Sequence, residues 1–396
     1  MRVPLLDLSE QYRNLAEPIR EEIDEILQTQ NFILGPKVEE FERALAEYCG
    51  AKHAIGVSSG TDALLDILMA LELGPGNAVV TTAYTFFATG GCIARVGATP
   101  VFVDIDPVTL NLSPDALANF LKGCPRNAEG RVVDAAGRII RAIIPVHLFG
   151  LCCDMDAINA LAELYQLTVI EDAAQAIGAE YLATDGSVRR AGTMSAAGSL
   201  SFYPSKNLGA AGDAGAILCD DDQLAERLRI YRQHGMEPRY FHHVIGGNFR
   251  LDAIQAAILK LKLPHLDAWS AARRRVADIY REEFESRSLT SRMTLPAEPY
   301  RARGLINHHI YHQYVIRLPE RDALQKHLAA RGIGTAIYYP LGLHEQECFA
   351  ALGYRKGDLP ETERAARESL ALPIYPELRP EMQGAVIDAI ADFFRE

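Results

Sequence analysis

The stretch RAIIPVHLFGLCCDMDAINALAELYQLTVIEDAA, residues 141–174, contains two short apolar runs separated by a segment of helical periodicity. The runs AIIPV and TVIE are apolar throughout, which is typical of strands that helices cover on both faces of a parallel sheet. Between them, MDAINALAELYQ places its apolar residues at helical spacing. This order of strand, helix and strand predicts one crossover unit of a mainly parallel sheet.

The same alternation extends outward in both directions, from about residue 50 to about residue 220. It predicts strands in HAIGVSS, NAVVTTAY and TPVFVDID, and helices from Thr61 and near FFATGGCIARVG. Two polar, turn-rich segments, 124–138 and 181–193, interrupt it and are predicted to be surface loops or hairpins. Because such sheets bind ligands beyond the carboxyl ends of their strands, we expect the functional site at that edge.

The two ends of the chain are mostly helical. IREEIDEIL and VEEFERALAEY predict two amphipathic helices, separated by a turn at Gly35-Pro36. After about residue 250, a long helical region precedes the strand HQYVIRL and the helix RDALQKHLAARG. We therefore predict an α/β fold in two domains. A large domain, 1–250, holds the mainly parallel sheet and the N-terminal helices, and a smaller C-terminal α/β domain, 251–396, includes the linking helix.

Composition excludes several classes of protein. The chain has 396 residues, 48% of them hydrophobic, and a formal net charge of −12, so it can bury a core but lacks the basic surface of a general nucleic-acid or membrane-surface protein. The N-terminus shows no signal-peptide pattern, and no apolar run reaches membrane-spanning length. Seven cysteines without CxxC spacing suit a reducing compartment. We expect a soluble cytoplasmic protein.

The segment VSSGTDALLDIL, residues 57–68, is a candidate anion site. An apolar strand ends there and a helix begins, so backbone N–H groups and the positive end of the helix dipole are available to a phosphate. Gly60 would allow close approach, and Thr61 would add a hydroxyl. The alternative is an ordinary helix start that Thr61 or a neighbouring serine caps.

Asp172 lies at the carboxyl end of the apolar strand in LTVIEDAAQAIGA, where a desolvated carboxylate needs a partner. A protonated ring nitrogen of a cofactor is one candidate, and Gln175 could reach another polar atom of the same ring. The alternative role for Asp172 is to cap a following helix.

Lys206 lies in SFYPSKNLGAAGDAGAIL, among small and apolar residues. An apolar environment disfavours the ammonium form, which leaves a nucleophilic amine of the kind that Schiff-base chemistry requires. Ser201, five residues earlier, could add an oxygen ligand to the anion site. A phosphate site, a strand-end aspartate and an enclosed lysine together match the phosphate, the pyridinium and the aldehyde of pyridoxal phosphate (PLP). The glycines of GAAGDAG lack GxGxxG spacing, which argues against a nicotinamide-dependent oxidoreductase.

Over essentially its whole length the chain resembles the PLP-dependent sugar aminotransferases of fold type I known as the DegT/DnrJ/EryC1/StrS family. The matching segments are FILGPKVEEFE, SSGTDAL, the TAYTFFAT region, VFVDIDP, IIPVHLFG, VIEDAAQAIGA, SFYPSKNLGAAGDAGA, GGNFRLDAIQAAIL and YYPLGLHEQ. Some members carry histidine in place of the lysine and dehydrate or deoxygenate sugars. Lys206 therefore favours the aminotransferase branch.

The resemblance implies a role for individual residues around the cofactor. It implies that Lys206 binds the cofactor aldehyde, that Asp172 pairs with the ring nitrogen, and that Gln175 meets the phenolic oxygen. Tyr84 matches the aromatic residue that stacks on the ring. The residues that match phosphate ligands are Gly60, Thr61 and Ser201.

The resemblance also implies a homodimer with shared active sites, because Asn248 matches a residue that reaches the phosphate of the neighbouring subunit's cofactor. Arg250 matches an arginine near the acceptor and donor site, and its planar fork suits a carboxylate. A buried structural ion pair is the alternative for Arg250.

For the substrates, the resemblance implies L-glutamate as amino donor and a nucleotide-linked keto sugar as acceptor. The segments RYFHHVIGGNFR and INHHIYHQYVIR most resemble those of members that aminate C3 of a UDP- or dTDP-linked 3-keto hexose or 3-keto uronate. His312, Tyr338 and His344 are then expected to contact the substrate. Amination at C4, and a PLP-binding regulatory protein without turnover, stay open. The histidines lack HExxH or Cys/His ligand spacing, so we expect no metal.

Overall fold

The computed structural model describes residues 1–395, and that range contains twelve α-helices and eleven strands. The helices are Ser9–Thr29 (α1), Pro36–Cys49 (α2), Gly60–Ala70 (α3), Phe87–Arg95 (α4), Pro114–Gly123 (α5), Met155–Tyr165 (α6), Asp222–Tyr231 (α7), Ala253–Lys262 (α8), Leu266–Ser286 (α9), Arg321–Ala330 (α10), Pro360–Glu368 (α11) and Pro380–Phe393 (α12). The strands are His53–Val57 (β1), Asn77–Thr82 (β2), Thr99–Val103 (β3), Ile139–Ile144 (β4), Thr168–Asp172 (β5), Glu180–Leu182 (β6), Val188–Arg190 (β7), Ala197–Ser201 (β8), Gly215–Cys219 (β9), Tyr314–Arg317 (β10) and Ser369–Leu372 (β11).

A seven-stranded sheet forms the centre of the molecule, with the strand order β1-β9-β8-β5-β4-β2-β3. All neighbouring pairs from β8 to β3 are parallel, whereas β9 runs antiparallel to both β1 and β8. Six of the seven strands therefore point the same way, and their carboxyl ends meet at one edge. The predicted α/β fold with a mainly parallel sheet is confirmed, and β6 and β7 form one of the predicted hairpins.

Helices cover both faces of this sheet. On one face, residues of α2, α5, α6 and α8 join the apolar side chains of the strands in one large core. On the other face, α3, α4 and α7 pack in a second core. Both sides of the strands are therefore buried, which explains why runs such as AIIPV show no alternation of polar and apolar residues.

The C-terminal part of the chain builds a separate core around the short antiparallel sheet of β10 and β11. Helices α10 and α12 and the second half of α9, from Val276, contribute to it. The N-terminal Val3 also packs there and pairs with Ile333. Helix α8, in contrast, packs against α1 and α2. The division into domains 1–250 and 251–396 stays a proposal.

Helix α3 contains an aspartate, Asp66, whose carboxyl group is buried without a hydrogen-bond partner in the described residues. Asp66 is fully buried, and neither of its Oδ atoms has a hydrogen-bond partner within residues 1–395. Burial raises the pKa of Asp66 well above its usual value, while Arg232 opposes the shift and Asp62 adds to it. An unpartnered buried carboxyl group destabilises a fold most when it is ionised.

We expect Asp66→Asn to raise the free energy of unfolding at pH 7 by about 1 to 3 kcal/mol. Because the pKa of this acid is higher in the folded than in the unfolded chain, the parent loses stability as the pH rises above the unfolded value of 3.8. The gain should therefore shrink toward pH 4, as urea unfolding between pH 4 and 8 would reveal. Asp24→Asn, at an exposed position of α1, is the control and should leave the pH profile unchanged.

Candidate active site

The start of α3 and the end of β8 meet at the carboxyl edge of the sheet. A Cβ atom added to Gly60 would lie 2.7 Å from Ser201 Cβ, so only glycine allows this approach. The amides of Gly60 and Thr61 belong to the first turn of α3, ahead of its first intrahelical hydrogen bonds, and can donate to an anion. Gly60, Thr61 and Ser201 are thus brought together as predicted from the sequence.

The serines before Gly60 have a capping function. Ser59 is the N-cap of α3, and its Oγ accepts a hydrogen bond of 3.0 Å from the amide of Asp62. Ser58 and Ser59 each donate to Asp62 Oδ2, at 2.6 and 2.9 Å. The capped-helix alternative is therefore correct for Ser59, and it leaves Thr61 exposed beside the first turn.

Asp172 ends β5 at the same edge and is 5% exposed. Its Oδ2 accepts a hydrogen bond of 2.7 Å from Thr89 Oγ1, and its Oδ1 accepts one of 3.2 Å from the amide of Ala174. Burial raises the pKa of Asp172, whereas these two hydrogen bonds and the charge of Lys206 lower it. A turn follows instead of a helix, so Asp172 is no helix cap.

Thr89 orients the carboxylate of Asp172, but the sequence does not identify it as a functional residue. It lies in the first turn of α4, 83 residues from Asp172, and a threonine in TAYTFFAT has no feature that sets it apart. Only the pairing of strands at the sheet edge brings the two side chains together.

Lys206 follows β8 in a stretch without helix or strand and is partly accessible. Most of its side chain is enclosed, and burial lowers the pKa of Lys206 from 10.5 to about 8, although the charge of Asp172 opposes the shift. The amine is therefore near the balance between its charged and neutral forms at about pH 8. Lys206 and Asp172 are close enough to influence each other's ionisation.

Gln175 is fixed in one orientation by two hydrogen bonds. Its Oε1 accepts from the amide of Phe149 at 2.7 Å, and its Nε2 donates to the hydroxyl of Tyr339 at 3.0 Å. The donor end of the amide therefore lies on the side of Tyr339. The sequence analysis names Tyr338 as a substrate contact, whereas the neighbouring Tyr339 is the tyrosine that contacts Gln175.

The burial of Tyr84 does not favour the stacking role expected for this residue. The ring is fully buried, its edge contacts involve Phe149 and Tyr339, and its hydroxyl donates to the carbonyl of Tyr338 at 2.7 Å. No face of the ring is free for a cofactor. Phe86 follows the same strand, is 58% exposed, and lies 6.2 Å from the ring of Tyr339. Phe86 is the better candidate for an aromatic contact with a ligand.

The two histidines expected to contact the substrate are largely enclosed by the protein. His344 is 4% exposed and packs edge-on against Tyr354, with Nε2 3.5 Å from a carboxylate oxygen of Glu363. His312 is 8% exposed, and its Nδ1 lies 3.1 Å from Oδ1 of Asn207. His312 nevertheless lines a cavity with Tyr338. Substrate contacts by His312 and His344 stay predictions.

Tyr338 is half-buried and lines a small cavity of about 50 Å³ together with Ser205 and His312. Ser205, in the wall of this cavity, immediately precedes Lys206 in the sequence. A substrate contact by Tyr338 stays a prediction.

The segment of Asn248 and Arg250 runs alongside the end of β1. The amide of Ser58 donates to the carbonyl of Phe249 at 2.8 Å, and Arg250 pairs with Val57. Asn248 is exposed, and Arg250 lines a groove of about 930 Å³ with Arg229 and Arg239. Arg250 forms no ion pair within the described part of the chain, so the structural ion-pair alternative finds no support.

Two kinds of feature are absent from residues 1–395. No cluster of three or more His, Cys, Asp or Glu side chains has a geometry that could hold a metal ion. None of the helices in this range is both long and apolar enough to cross a membrane.

The chain is similar in sequence to known proteins along almost its whole length. A model of the DegT/DnrJ/EryC1/StrS aminotransferase family matches residues 13–391. A pleiotropic regulatory protein of Geobacillus stearothermophilus is 48% identical over 395 residues, which cover 100% of this chain and 99% of that protein. A UDP-N-acetyl-3-dehydro-alpha-D-glucosamine 3-aminotransferase of Acidithiobacillus ferrooxidans is 40% identical, with 98% of this chain and 97% of that protein covered.

Among solved structures, an aminotransferase of the same family from Brucella abortus superposes with a TM-score of 0.90 at 36% identity, and both chains are covered completely. The predicted large domain with a mainly parallel sheet and a smaller C-terminal α/β part is thus the fold of a known aminotransferase. The fold type I prediction is confirmed.

Proposed function

Because the chain belongs to the DegT/DnrJ/EryC1/StrS aminotransferase family, we propose that it uses PLP to move the amino group of L-glutamate to C3 of a nucleotide-linked 3-keto sugar. One observation carries the proposal. An enclosed lysine with a lowered pKa and a buried aspartate influence each other at the sheet edge where α3 begins.

The residues at this edge fit the cofactor part by part. The first turn of α3, with Gly60 against Ser201, can hold a phosphate. Asp172 can pair with a positive ring nitrogen, which would supply the counter-charge that a buried carboxylate needs. Gln175 presents an amide donor whose orientation is fixed. Lys206 supplies a primary amine that is partly neutral near pH 8.

When bound, PLP supplies an aldehyde that combines with amines and a ring that accepts the electron pair released at the α-carbon of an amino acid. The chain supplies the proton transfers and the fixed charges. In its neutral form Lys206 would accept the α-proton of glutamate, and it would return a proton when the sugar is aminated. Asp172 would keep a positive charge on the ring nitrogen, and Thr89 holds Asp172 in place.

C3 regiochemistry is supported by the Acidithiobacillus ferrooxidans relative, whose name specifies amination of a 3-dehydro sugar. The relative from Geobacillus stearothermophilus is named as a regulatory protein, which keeps a PLP-binding regulator as the second candidate. The second candidate requires the same cofactor site but no turnover.

The homodimer also belongs to the proposal. Tyr240, Phe241 and Ile245 lie just before Asn248 and are 73%, 65% and 90% exposed. Exposed apolar side chains of this size, close together on one loop, are typical of a surface that a second chain covers. This supports a role for Asn248 at the active site of a second subunit.

Amination of a panel of UDP- and dTDP-linked 3-keto and 4-keto sugars, with glutamate as donor, tests the function. We expect turnover of at least one 3-keto sugar, measured as 2-oxoglutarate released and amino sugar formed. Turnover of 4-keto sugars alone would establish C4 regiochemistry instead. A protein that binds PLP, but whose spectrum no amino donor changes, would favour the regulator.

A further inference from the structure

The residue after Lys206 is held by two hydrogen bonds from a distant part of the chain. Asn207 is 5% exposed, and its Nδ2 donates to the carbonyl of Ile310 at 3.1 Å. Its Oδ1 lies 3.1 Å from Nδ1 of His312. Residues 310–312 precede β10, so the segment that leads into the C-terminal core holds the neighbour of the lysine.

These contacts determine which nitrogen of His312 carries hydrogen. Because Nδ2 of Asn207 donates to Ile310, the atom that faces the imidazole is the acceptor Oδ1. Nδ1 of His312 must therefore carry the hydrogen. Burial lowers the pKa of His312 well below its usual value, and the positive charges of Lys206 and Arg273 lower it further, so the ring is neutral.

The backbone of this segment is itself fixed from α9. Arg273 is 2% exposed, and its Nη1 donates to the carbonyls of Tyr311, His312 and Ile374 at 3.1, 3.3 and 3.0 Å. His312 therefore cannot follow a movement of Asn207 without breaking these hydrogen bonds. The imidazole is a rigid support.

Phe202 and Leu208, on either side of Lys206, are buried in the main core, but Lys206 itself lies in neither a helix nor a strand. It follows β8 in a turn, and its amide donates to the carbonyl of Tyr203 at 2.8 Å. A reactive side chain on a loop is held less accurately than one on a strand or helix unless neighbouring side chains fix the loop. Asn207 is such a neighbour, and His312 determines its orientation.

We propose that His312 is a positioning residue for Lys206: through Asn207 it fixes the turn that carries the lysine, and so the direction of the amine. This inference rests on the proposed function of Lys206. It gives His312 a task in proton transfer that acts through Asn207 and not at a reacting atom. Removing the Nδ1 donor should therefore reduce kcat and leave the KM of both substrates unchanged.

The test compares His312→Leu with His312→Asn in the PLP-loaded enzyme. The amide of asparagine can place a donor near the position of Nδ1, whereas leucine has none. We expect His312→Leu to lower kcat by about tenfold or more, since small displacements of a catalytic group have effects of this size. KM values should stay within about twofold. His312→Asn should retain most of the activity.

A second measurement does not depend on turnover. The apo enzyme is mixed with PLP, and growth of the visible band of the lysine-bound cofactor is followed with time. His312→Leu should slow this capture severalfold, and His312→Asn should restore it. The matched control is His308→Gln in the same segment, since His308 contacts Glu298 and not Asn207. It should behave as the parent does in both measurements.

A double variant separates this role from general destabilisation. If His312 acts through Asn207, His312→Leu combined with Asn207→Ala should be no slower than Asn207→Ala alone. Additive losses, equal losses in His312→Leu and His312→Asn, or a normal kcat in His312→Leu would each overturn the proposal. If His312→Leu does not fold, His312→Gln, whose amide reaches nearer the Nε2 position, takes its place. A parent that captures no PLP on Lys206 would overturn the proposed function instead.

Discussion

Lys206→Ala is expected to remove both the visible absorbance of lysine-bound PLP and at least about 10³-fold of the transamination rate. Alanine has no amine to combine with the aldehyde and no group that can accept the α-proton of glutamate. The loss should appear in kcat, measured by 2-oxoglutarate release under saturating substrates. The fold should persist, because Lys206 forms no ion pair within residues 1–395 and burial already disfavours its charge.

A matched control exists for this variant. Lys262 is a second enclosed lysine whose pKa burial lowers, and its Nζ donates to the carbonyl of Gly209 at 2.6 Å. Lys262→Ala should retain the visible band and the aminotransferase activity. A Lys206→Ala protein that transaminates at the parental rate would disprove the assignment of the lysine, whatever Lys262→Ala does.

Asp172→Asn is expected to lower kcat by about 10² to 10⁴, which corresponds to the roughly 3 to 5 kcal/mol lost when one partner of a buried charge pair is removed. The amide keeps the size of the carboxyl group and can still interact with Thr89 and the amide of Ala174, so the melting temperature should change little. It cannot carry the negative charge that stabilises a positive ring nitrogen. PLP should still bind, because Lys206 and the start of α3 are intact.

The cause of this loss can be isolated with a modified cofactor. PLP methylated at its ring nitrogen carries a permanent positive charge and should restore part of the activity of Asp172→Asn. Asp66→Asn, at the other fully enclosed aspartate with a raised pKa, should keep its activity. Full activity of Asp172→Asn with ordinary PLP would contradict the pairing of Asp172 with the ring.

The sequence was sufficient where a functional residue is marked by its immediate neighbours. Asp172 follows a continuous apolar strand, Gly60 lies between a strand and a helix, and Lys206 stands among small and apolar residues. In a parallel sheet the carboxyl ends of strands meet at one edge, so the strand pattern alone predicts that these positions converge. The structure places Gly60 against Ser201 and Lys206 within electrostatic reach of Asp172.

The sequence was insufficient where the direction of a side chain decided the outcome. Tyr84 and Phe86 are two residues apart after β2, and both are aromatic. Only the packing of the C-terminal core against this edge shows that Tyr84 is enclosed while Phe86 is exposed. Likewise, no local pattern shows that His312 lies against Asn207 and His344 against Glu363, because each contact joins distant segments.

By itself, then, the sequence determined the α/β fold, the order of its elements, the family and the chemistry of Lys206 and Asp172. Each of these depends on local periodicity and on residue type. Only the tertiary structure decided which aromatic ring is open to a ligand, that Thr89 orients Asp172, and that His312 supports Lys206 through Asn207. Those relations join residues 83 and 105 positions apart, and no local pattern records which side chains meet when the chain is folded.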